Sequence, residues 1–190
     1  MSITINIKNM VCPRCISAVL QVFEQIKAEP DTVFLGGATL SKNLSKKQQA
    51  ELDLLLEQNG FERIGSEKSQ LLERVKTTVI DQIHHQDHFN LNVKWSDFLA
   101  EQLDQDYQYL SALFSSVTGI TLEQYIIKQK IEKVKELLRY DQLSAKEIAF
   151  KLGYSSVAHL SAQFKKVTGM TPSVFKQSRE LNHRNFLDSL

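Results

Sequence analysis

The residues best suited to chemistry are two cysteines near the start of the chain, Cys12 and Cys15, and the sequence contains no others. They are too close together to staple a fold, and in a reducing compartment such a pair is more often a metal or redox site than a structural disulfide. One loop can present both sulfurs to one soft ion, Cu(I) or Zn. Two ligands suit near-linear Cu(I), whereas Zn would need two more. Near a helix N-terminus we expect depressed pKa values for such thiols.

A second group of candidate metal ligands is the histidine cluster His84, His85 and His88. At positions i and i+4, His84 and His88 could bind a metal if a helix continues through them. The favoured interpretation of this stretch is a solvated linker.

Basic residues are concentrated near the C-terminal end. Residues 128–184 contain twelve Lys and Arg against five Asp and Glu, whereas residues 94–127 contain one Lys against five acids. A basic patch suits a phosphate backbone, although lysines on a solvated helix face would give the same count.

A repeated segment is the stronger signal. Residues 110–121 and 160–171 share Leu, Ser, Ala, Phe, Val, Thr, Gly and Thr in the same order, at an offset of 50 residues. Both copies have helical apolar spacing, which predicts two buried stripes. The stripes are Leu110, Leu113, Phe114 and Val117 in the first copy, and Leu160, Phe164 and Val167 in the second. Gly119 and Gly169 then supply the residue at which a helix usually ends.

The opposite face of each predicted helix carries small, polar or basic side chains, which would let the helix lie close against a groove. The residues of this face are Gln108, Ser111, Ala112 and Ser115 in the first copy, and Ala158, Ser161, Ala162 and Lys165 in the second.

Short helices must position both copies. Residues 96–103 and 144–152 have helical apolar stripes, Ser144 with Glu147 forms a capping-box pattern, and Ser96 is a plausible cap. A helix, a tight turn and a second helix make a helix-turn-helix unit. Residues 122–140 lack Gly and Pro, which predicts one long helix between the two units.

Residues 91–182 resemble the DNA-binding domain of the AraC/XylS transcription regulators. The resemblance is carried by residues 130–138, 148–154 and 164–172 in order. It implies seven helices, with recognition helices at residues 107–117 and 157–167, and activation or repression at promoters. On these helices the resemblance implies phosphate contacts from Lys165 and Lys166. The base-edge contacts that it implies are Gln108, Ser111, Ala112, Ser115, Ala158, His159, Ser161 and Ala162. The family often has arginine where Ala112 and Ala162 stand, so sequence discrimination would depend on weaker donors, thymine-methyl contacts or DNA shape.

Residues 1–67 predict a separate α+β domain, a small ferredoxin-like sandwich with strands and helices in the order βαββαβ, in which the pairing of the middle strands is left open. Its elements are a strand through Ile3, Ile5 and Ile7, a helix over 15–27, a strand over 32–40 kinked at its glycines, a helix over 45–58 and a strand over 61–64. Residues 9–15 resemble the metal-binding loop of heavy-metal-associated domains, with Asn9 where that family usually has glycine. Metal or thiol sensing, a contact domain with inert cysteines, and redox switching remain open for this domain.

A helix or linker over residues 68–90 joins the two parts, and residues 183–190 form a tail. The apolar seam of this helix, Leu72, Val75, Val79 and Ile83, could pair with its copy in a homodimer or pack on the N-terminal domain. The second outcome is the more common.

These features predict a sequence-specific regulator that binds double-stranded DNA, with RNA polymerase and a second copy of the chain as candidate partners. The alternatives are a regulator whose N-terminal domain is only a dimerisation or partner-contact module without metal, and a metal carrier, which the duplicated helix argues against. No constellation of catalytic residues suggests an enzyme. The sequence has no run of roughly 18 apolar residues, and its alternating start lacks the apolar core of a signal peptide, so we expect a cytoplasmic protein without membrane association.

Overall fold

The chain folds into two compact units. The computed structural model describes residues 3–65, 67–86, 94–140, 143–177 and 187. The first unit comprises residues 1–78 and the second comprises residues 79–190. None of the helices in the described ranges is long and apolar enough to cross a membrane.

The first unit has the predicted element order, with helices packed on one antiparallel sheet. Its elements are β1 (Ile3–Lys8), α1 (Pro13–Gln25), β2 (Thr32–Phe34), β3 (Gly37–Leu40), α2 (Lys46–Gln58) and β4 (Glu62–Ile64). The strand order is β2-β3-β1-β4, and all neighbours are antiparallel. The sheet fits a ferredoxin-like sandwich only loosely, since β2 and β4 comprise three residues each.

The sequence prediction of one kinked strand over residues 32–40 is wrong, because this segment is a tight hairpin. Phe34 pairs with Gly37 across a two-residue loop, and Gly36 in that loop has φ +95°, a conformation that favours glycine. A Cβ atom at Gly37 would lie 2.5 Å from the carbonyl oxygen of Ile5. The two glycines therefore allow the turn and the close strand pairing, rather than a bulge in one strand.

The core of the first unit lies between the sheet and its two helices. The prediction that a helix starts at Ser45 is confirmed, because Ser45 and Gln48 form a reciprocal capping box at the start of α2. The fully buried side chains of this core include Ile7, Met10, Val19, Phe23, Ala38, Leu52 and Leu56.

Helix α3 (Glu67–Ile80) follows and ends in a π-helical turn over Asp81–His85. Three members of the predicted seam, Val75, Val79 and Ile83, are buried. This seam is covered within the single chain, so it is not an exposed stripe on which two copies could pair.

The second unit is helical. Its described helices are α4 (Trp95–Leu103), α5 (Tyr107–Thr118), α6 (Leu122–Tyr140), α7 (Ala145–Lys151), α8 (Val157–Thr168) and α9 (Pro172–Gln177). Six helices thus lie between residues 94 and 177, and the end of α3 with its π-turn belongs to the same unit. The long helix predicted over residues 122–140 is confirmed at both ends.

The caps of the short helices match the sequence prediction at one site and not at the other. Ser144 and Glu147 form the predicted capping box, with the Ser144 amide donating to Glu147 Oε2 at 2.7 Å. Ser96 is not a cap, because α4 begins one residue earlier with Lys94 as its N-cap. The Ser96 hydroxyl instead donates to the neighbouring Asp97 carboxylate.

The apolar stripes of α5 and α8 are buried except at their last turn. Leu110, Phe114, Leu160 and Phe164 are at most 1% exposed. In contrast, Val117 is 61% exposed and Val167 is 42% exposed, so the predicted stripes are wrong at these positions. Burial ends at the two phenylalanines, and the described residues leave the final turn of each helix uncovered.

Candidate nucleic-acid interface and cysteine loop

Helices α5 and α8 have matching ends. The N-cap of α5 is Asp106, whose carboxylate accepts from the Tyr109 amide at 3.1 Å. The N-cap of α8 is Ser156, whose hydroxyl accepts from the His159 amide at 3.0 Å. Both helices end at a left-handed glycine, Gly119 with φ 74° and Gly169 with φ 82°. The two helices are therefore fixed at both ends by the same kind of contact.

The threonines of the repeat also make matching contacts. Thr118 donates to the Phe114 carbonyl at 2.8 Å, and Thr168 donates to the Phe164 carbonyl at the same distance. The second threonine of each copy begins the following helix, since Thr121 Oγ1 accepts from the Gln124 amide and Thr171 Oγ1 accepts from the Val174 amide. Most residues shared by the two copies therefore build the frame of the helices and do not form their outer faces.

The residues predicted to contact DNA lie together on the outer faces of these helices. Those that are exposed are Gln108 and Ala112 on α5, and Ala158, His159, Ala162, Lys165 and Lys166 on α8. Ser111, Ser115 and Ser161 are half-buried. Each helix thus presents a small-residue face to solvent, and only the face of α8 carries lysines.

The hydroxyl of Ser115 is engaged within its own helix. It donates to the Ser111 carbonyl at 2.7 Å, so this donor is directed along α5 and away from an approaching ligand. The equivalent position in the second copy, 50 residues later, is Lys165, which is exposed. Equivalent positions of the two helices thus carry a hydroxyl that is hydrogen-bonded within α5 and an exposed cation on α8.

The imidazole of His159 has two neighbours that orient it. Its Nδ1 lies 3.1 Å from the Ser155 hydroxyl, and its ring packs edge-on against Tyr154 with centroids 5.4 Å apart at 85°. Both neighbours belong to the turn between α7 and α8. A base-reading side chain that is held in this way loses less conformational freedom on binding.

Tyr109 is a candidate contact residue that the sequence patterns did not indicate. This tyrosine is 45% exposed at the start of α5, and it occupies the position equivalent to His159. The 50-residue offset was the signal that could have found it. An exposed tyrosine at the N-terminal end of a recognition helix can contact thymine methyl groups through its ring and phosphates through its hydroxyl.

Part of the basic charge lies on the inner side of α6. Lys135, which is buried, donates to Glu132 at 2.5 Å, and Lys133 donates to Glu136 at 2.6 Å. These lysines are paired within the chain and are not presented to a phosphate backbone. The basic count of residues 128–184 therefore overstates the cationic surface, which makes Lys165 and Lys166 more important to it.

In the first unit, Cys12 is the N-cap of α1 and Cys15 lies in its first turn. Their sulfurs are 3.3 Å apart and both residues are half-buried. Burial, together with the hydrogen bond to Cys12, raises the pKa of Cys15. The expected depression of the thiol pKa is thus wrong for Cys15, because desolvation outweighs the two backbone hydrogen bonds that favour its thiolate.

The loop before α1 is held by Asn9, which has φ 71°. Its backbone amide donates to the Glu73 carboxylate on α3 at 2.9 Å, and its side-chain amide donates to the Gly60 carbonyl at 3.0 Å. Asparagine tolerates this left-handed conformation better than most residues. Asparagine can therefore replace glycine at position 9, where its hydrogen bonds to Glu73 and Gly60 stabilise the loop.

No further metal ligands gather near the cysteines or elsewhere in the part of the chain that the structure describes: it contains no cluster of three or more His, Cys, Asp or Glu suited to a metal. His84 Nε2 instead lies 3.0 Å from Gln129 Oε1, and burial lowers the pKa of His84 to about 4. The expectation of a solvated linker is wrong at His84, which packs against α6. His88 lies outside the described residues.

Comparison with known proteins places the C-terminal helices in context. Residues 99–178 match the family model described as a helix-turn-helix domain. Over 95 residues the chain is 30% identical to the HTH-type transcriptional activator RhaS of Escherichia coli O139:H28, a match that covers 50% of this chain. The chain spans only 34% of the length of that relative.

Two solved structures are also similar to the chain. The C-terminal domain of AraT, a response regulator from Geobacillus stearothermophilus, is 30% identical, with 60% of this chain and 89% of that one covered at a TM-score of 0.49. The C-terminal domain of the response regulator yesN from Fusobacterium nucleatum is 28% identical, with 55% and 96% covered at a TM-score of 0.46. By sequence, residues 99–178 of the chain are thus similar to a helix-turn-helix domain.

Proposed function

We propose that the chain is a sequence-specific DNA-binding transcription regulator that docks α5 and α8 in successive major grooves. The observation that carries this proposal is the pair of matched helices, which share caps and buried faces and leave their outer faces exposed. Small residues at Ala112 and Ala162 would allow close approach to the groove floor. Recognition helices of helix-turn-helix proteins contact base edges from this position.

The two helices have different roles in this proposal. Lys165 and Lys166 on α8 contact phosphates and supply most of the salt-dependent affinity. On α5, the exposed Gln108 and Tyr109 contact base edges and contribute mainly selectivity. Bidentate contacts from Gln to adenine and apolar contacts to thymine methyl groups are the chemistry available to such a surface.

Selection of bound genomic DNA by the purified full-length chain tests this proposal. We expect enrichment of sites with two half-sites whose centres are roughly 10 base pairs apart, one helical turn. Substitution of Ser111 or Ser161 should change the preferred bases, since both residues lie at the edges of the outer faces. Recovery of DNA without any shared motif would contradict the proposal.

A second function is favoured by the cysteine loop, where two sulfurs lie 3.3 Å apart at the surface of the first unit. This spacing allows both thiolates to bind one soft ion, such as Cu(I), which accepts two ligands. We therefore propose that the first unit responds to Cu(I) and thereby changes DNA affinity. The alternative is a contact module in which the cysteines are inert.

Metal titration separates these two possibilities. DNA affinity is measured while Cu(I) or Zn is added to the reduced chain and to a Cys12→Ser/Cys15→Ser variant. Metal sensing predicts that the DNA affinity of the wild type changes on metal addition and that the DNA affinity of the cysteine variant does not. Unchanged affinity in both proteins would exclude metal sensing and leave the contact module.

A further inference from the structure

A lysine on α6 lies between two aromatic rings that come from different helix-turn-helix units. The Lys130 ammonium is 5.9 Å from the ring centroid of Trp95, the first residue of α4, and 5.4 Å from that of Tyr154, in the turn after α7. Both distances are within the range of cation–π attraction. This aromatic–lysine stack, Trp95–Lys130–Tyr154, thus connects the helix-turn-helix of α4 and α5 to that of α7 and α8 through α6.

The surroundings of the stack indicate a structural use of the charge. Lys130 is half-buried, and burial lowers the pKa of its ammonium to about 8. The two ring faces offset part of the cost of this desolvation. Tyr154 is 8% exposed, and its hydroxyl has no hydrogen-bond partner among the described residues. Tyr154 therefore contacts its neighbours through its ring and not through its hydroxyl.

The same tyrosine contacts a residue on the outer face of α8. The ring of Tyr154 packs edge-on against His159, and Ser155 in the same turn lies 3.1 Å from His159 Nδ1. Contacts thus run from Trp95 at the start of α4, through Lys130, to the side chain of α8 that is best placed to contact a base.

We propose that Lys130 is a positioning residue that fixes the orientation of α8 relative to α4 and α5, and so sets the spacing at which two DNA half-sites are bound. This inference rests on the proposed function. Removing the charge should leave each helix-turn-helix unit folded, because their cores are formed by other residues, including Leu110, Phe114, Leu160 and Phe164. The orientation between the units should then become less well defined.

The test measures affinity for DNA whose two half-sites are separated by different numbers of base pairs. Wild type is compared with Lys130→Met, which removes the charge, and with Lys130→Arg, which keeps it. Lys128→Met is the matched control, since Lys128 lies on the same helix two residues away. For wild type we expect a loss of about tenfold when the spacing is changed by two base pairs, because both units can no longer bind together.

In Lys130→Met we expect this spacing penalty to shrink by at least about threefold, while Lys130→Arg and Lys128→Met keep it. A Lys130→Met protein that retains the full penalty would overturn the role of Lys130 and leave the proposed function intact. A wild-type chain that selects no DNA would overturn the proposed function and, with it, this role.

Two further measurements guard against a variant that fails to fold. Tyr154→Leu removes one ring and should reduce the spacing penalty in the same way, whereas Tyr154→Phe should keep it.

Trp95 is the only tryptophan in the chain, so its fluorescence emission reports directly on the neighbouring ammonium. We expect Lys130→Met to change that emission and Lys128→Met to leave it unchanged. Identical emission from wild type and Lys130→Met would show that the stack does not form.

Discussion

The two helix-turn-helix units have the same frame and different surfaces. Helices α5 and α8 begin at side-chain caps, end at left-handed glycines and bury a leucine and a phenylalanine at equivalent positions. Their outer faces differ where Ser115 and Ser116 on α5 correspond to Lys165 and Lys166 on α8. Most of the residues shared by the two copies build the fold, and the charge of the two outer faces differs at the positions where the copies diverge.

The largest effect is expected when the buried phenylalanine of each helix is removed in turn. Phe114→Ala and Phe164→Ala both remove a ring that is at most 1% exposed. Each should lower the free energy of unfolding by about 3–5 kcal/mol, as measured by urea denaturation monitored by circular dichroism. If one substitution cost several-fold more than the other, the two units would not be equivalent in their packing.

The pH dependence of stability tests the packing of His84 against α6, the helix between the two helix-turn-helix units. Burial lowers the pKa of His84, beside Gln129 of α6, from an ordinary 6.5 to about 4. Between pH 6.5 and 4 the unfolded chain binds a proton that the folded chain does not, so stability falls as the pH is lowered through this window. At about 1.4 kcal/mol per pKa unit, the loss is at most about 3.5 kcal/mol.

The variant His84→Gln provides the control for this effect, because carboxylates also titrate in the same window. The difference in unfolding free energy between wild type and His84→Gln should shrink as the pH falls from 6.5 to 4. A difference that stays constant over that range would mean that His84 is not held neutral by its surroundings.

The glycine ends of α5 and α8 sharpen the comparison further. An alanine Cβ at Gly119 or Gly169 would meet no atom of the described residues within 4 Å, so we expect the cost of Gly→Ala to be the strain of a left-handed backbone. Each substitution should destabilise the chain by about 1–2 kcal/mol, and thermal melts of the two variants should coincide. A much larger cost at one site would reveal a contact that the two ends do not share.

The sequence was most informative where local chemistry decides the structure. The bounds of α6 and the capping box of Ser144 follow from helical periodicity and from side chains that bond to their own backbone. Local patterns could not show that Val117 and Val167 lie beyond the packed part of their helices. They could not show either that residues 32–40 fold back as a hairpin.

The candidate sites were less predictable, because they depend on contacts between distant residues. His84 contacts Gln129 across 45 positions of the chain, and this contact turns an expected linker into a buried segment. The aromatic–lysine stack joins three residues that no sequence motif brings together. The raised pKa of Cys15 depends on burial, which a motif of two cysteines does not encode.

The most direct test of the divergence between the two units is the salt dependence of DNA binding in a matched pair of variants. Lys165→Ala removes a cation from α8, and Ser115→Lys places one at the equivalent site on α5. The slope of log affinity against log salt concentration is negative, and we predict that its magnitude decreases by about 1 in Lys165→Ala and increases by about 1 in Ser115→Lys. Unchanged slopes in both variants would contradict the assignment of phosphate contacts to α8.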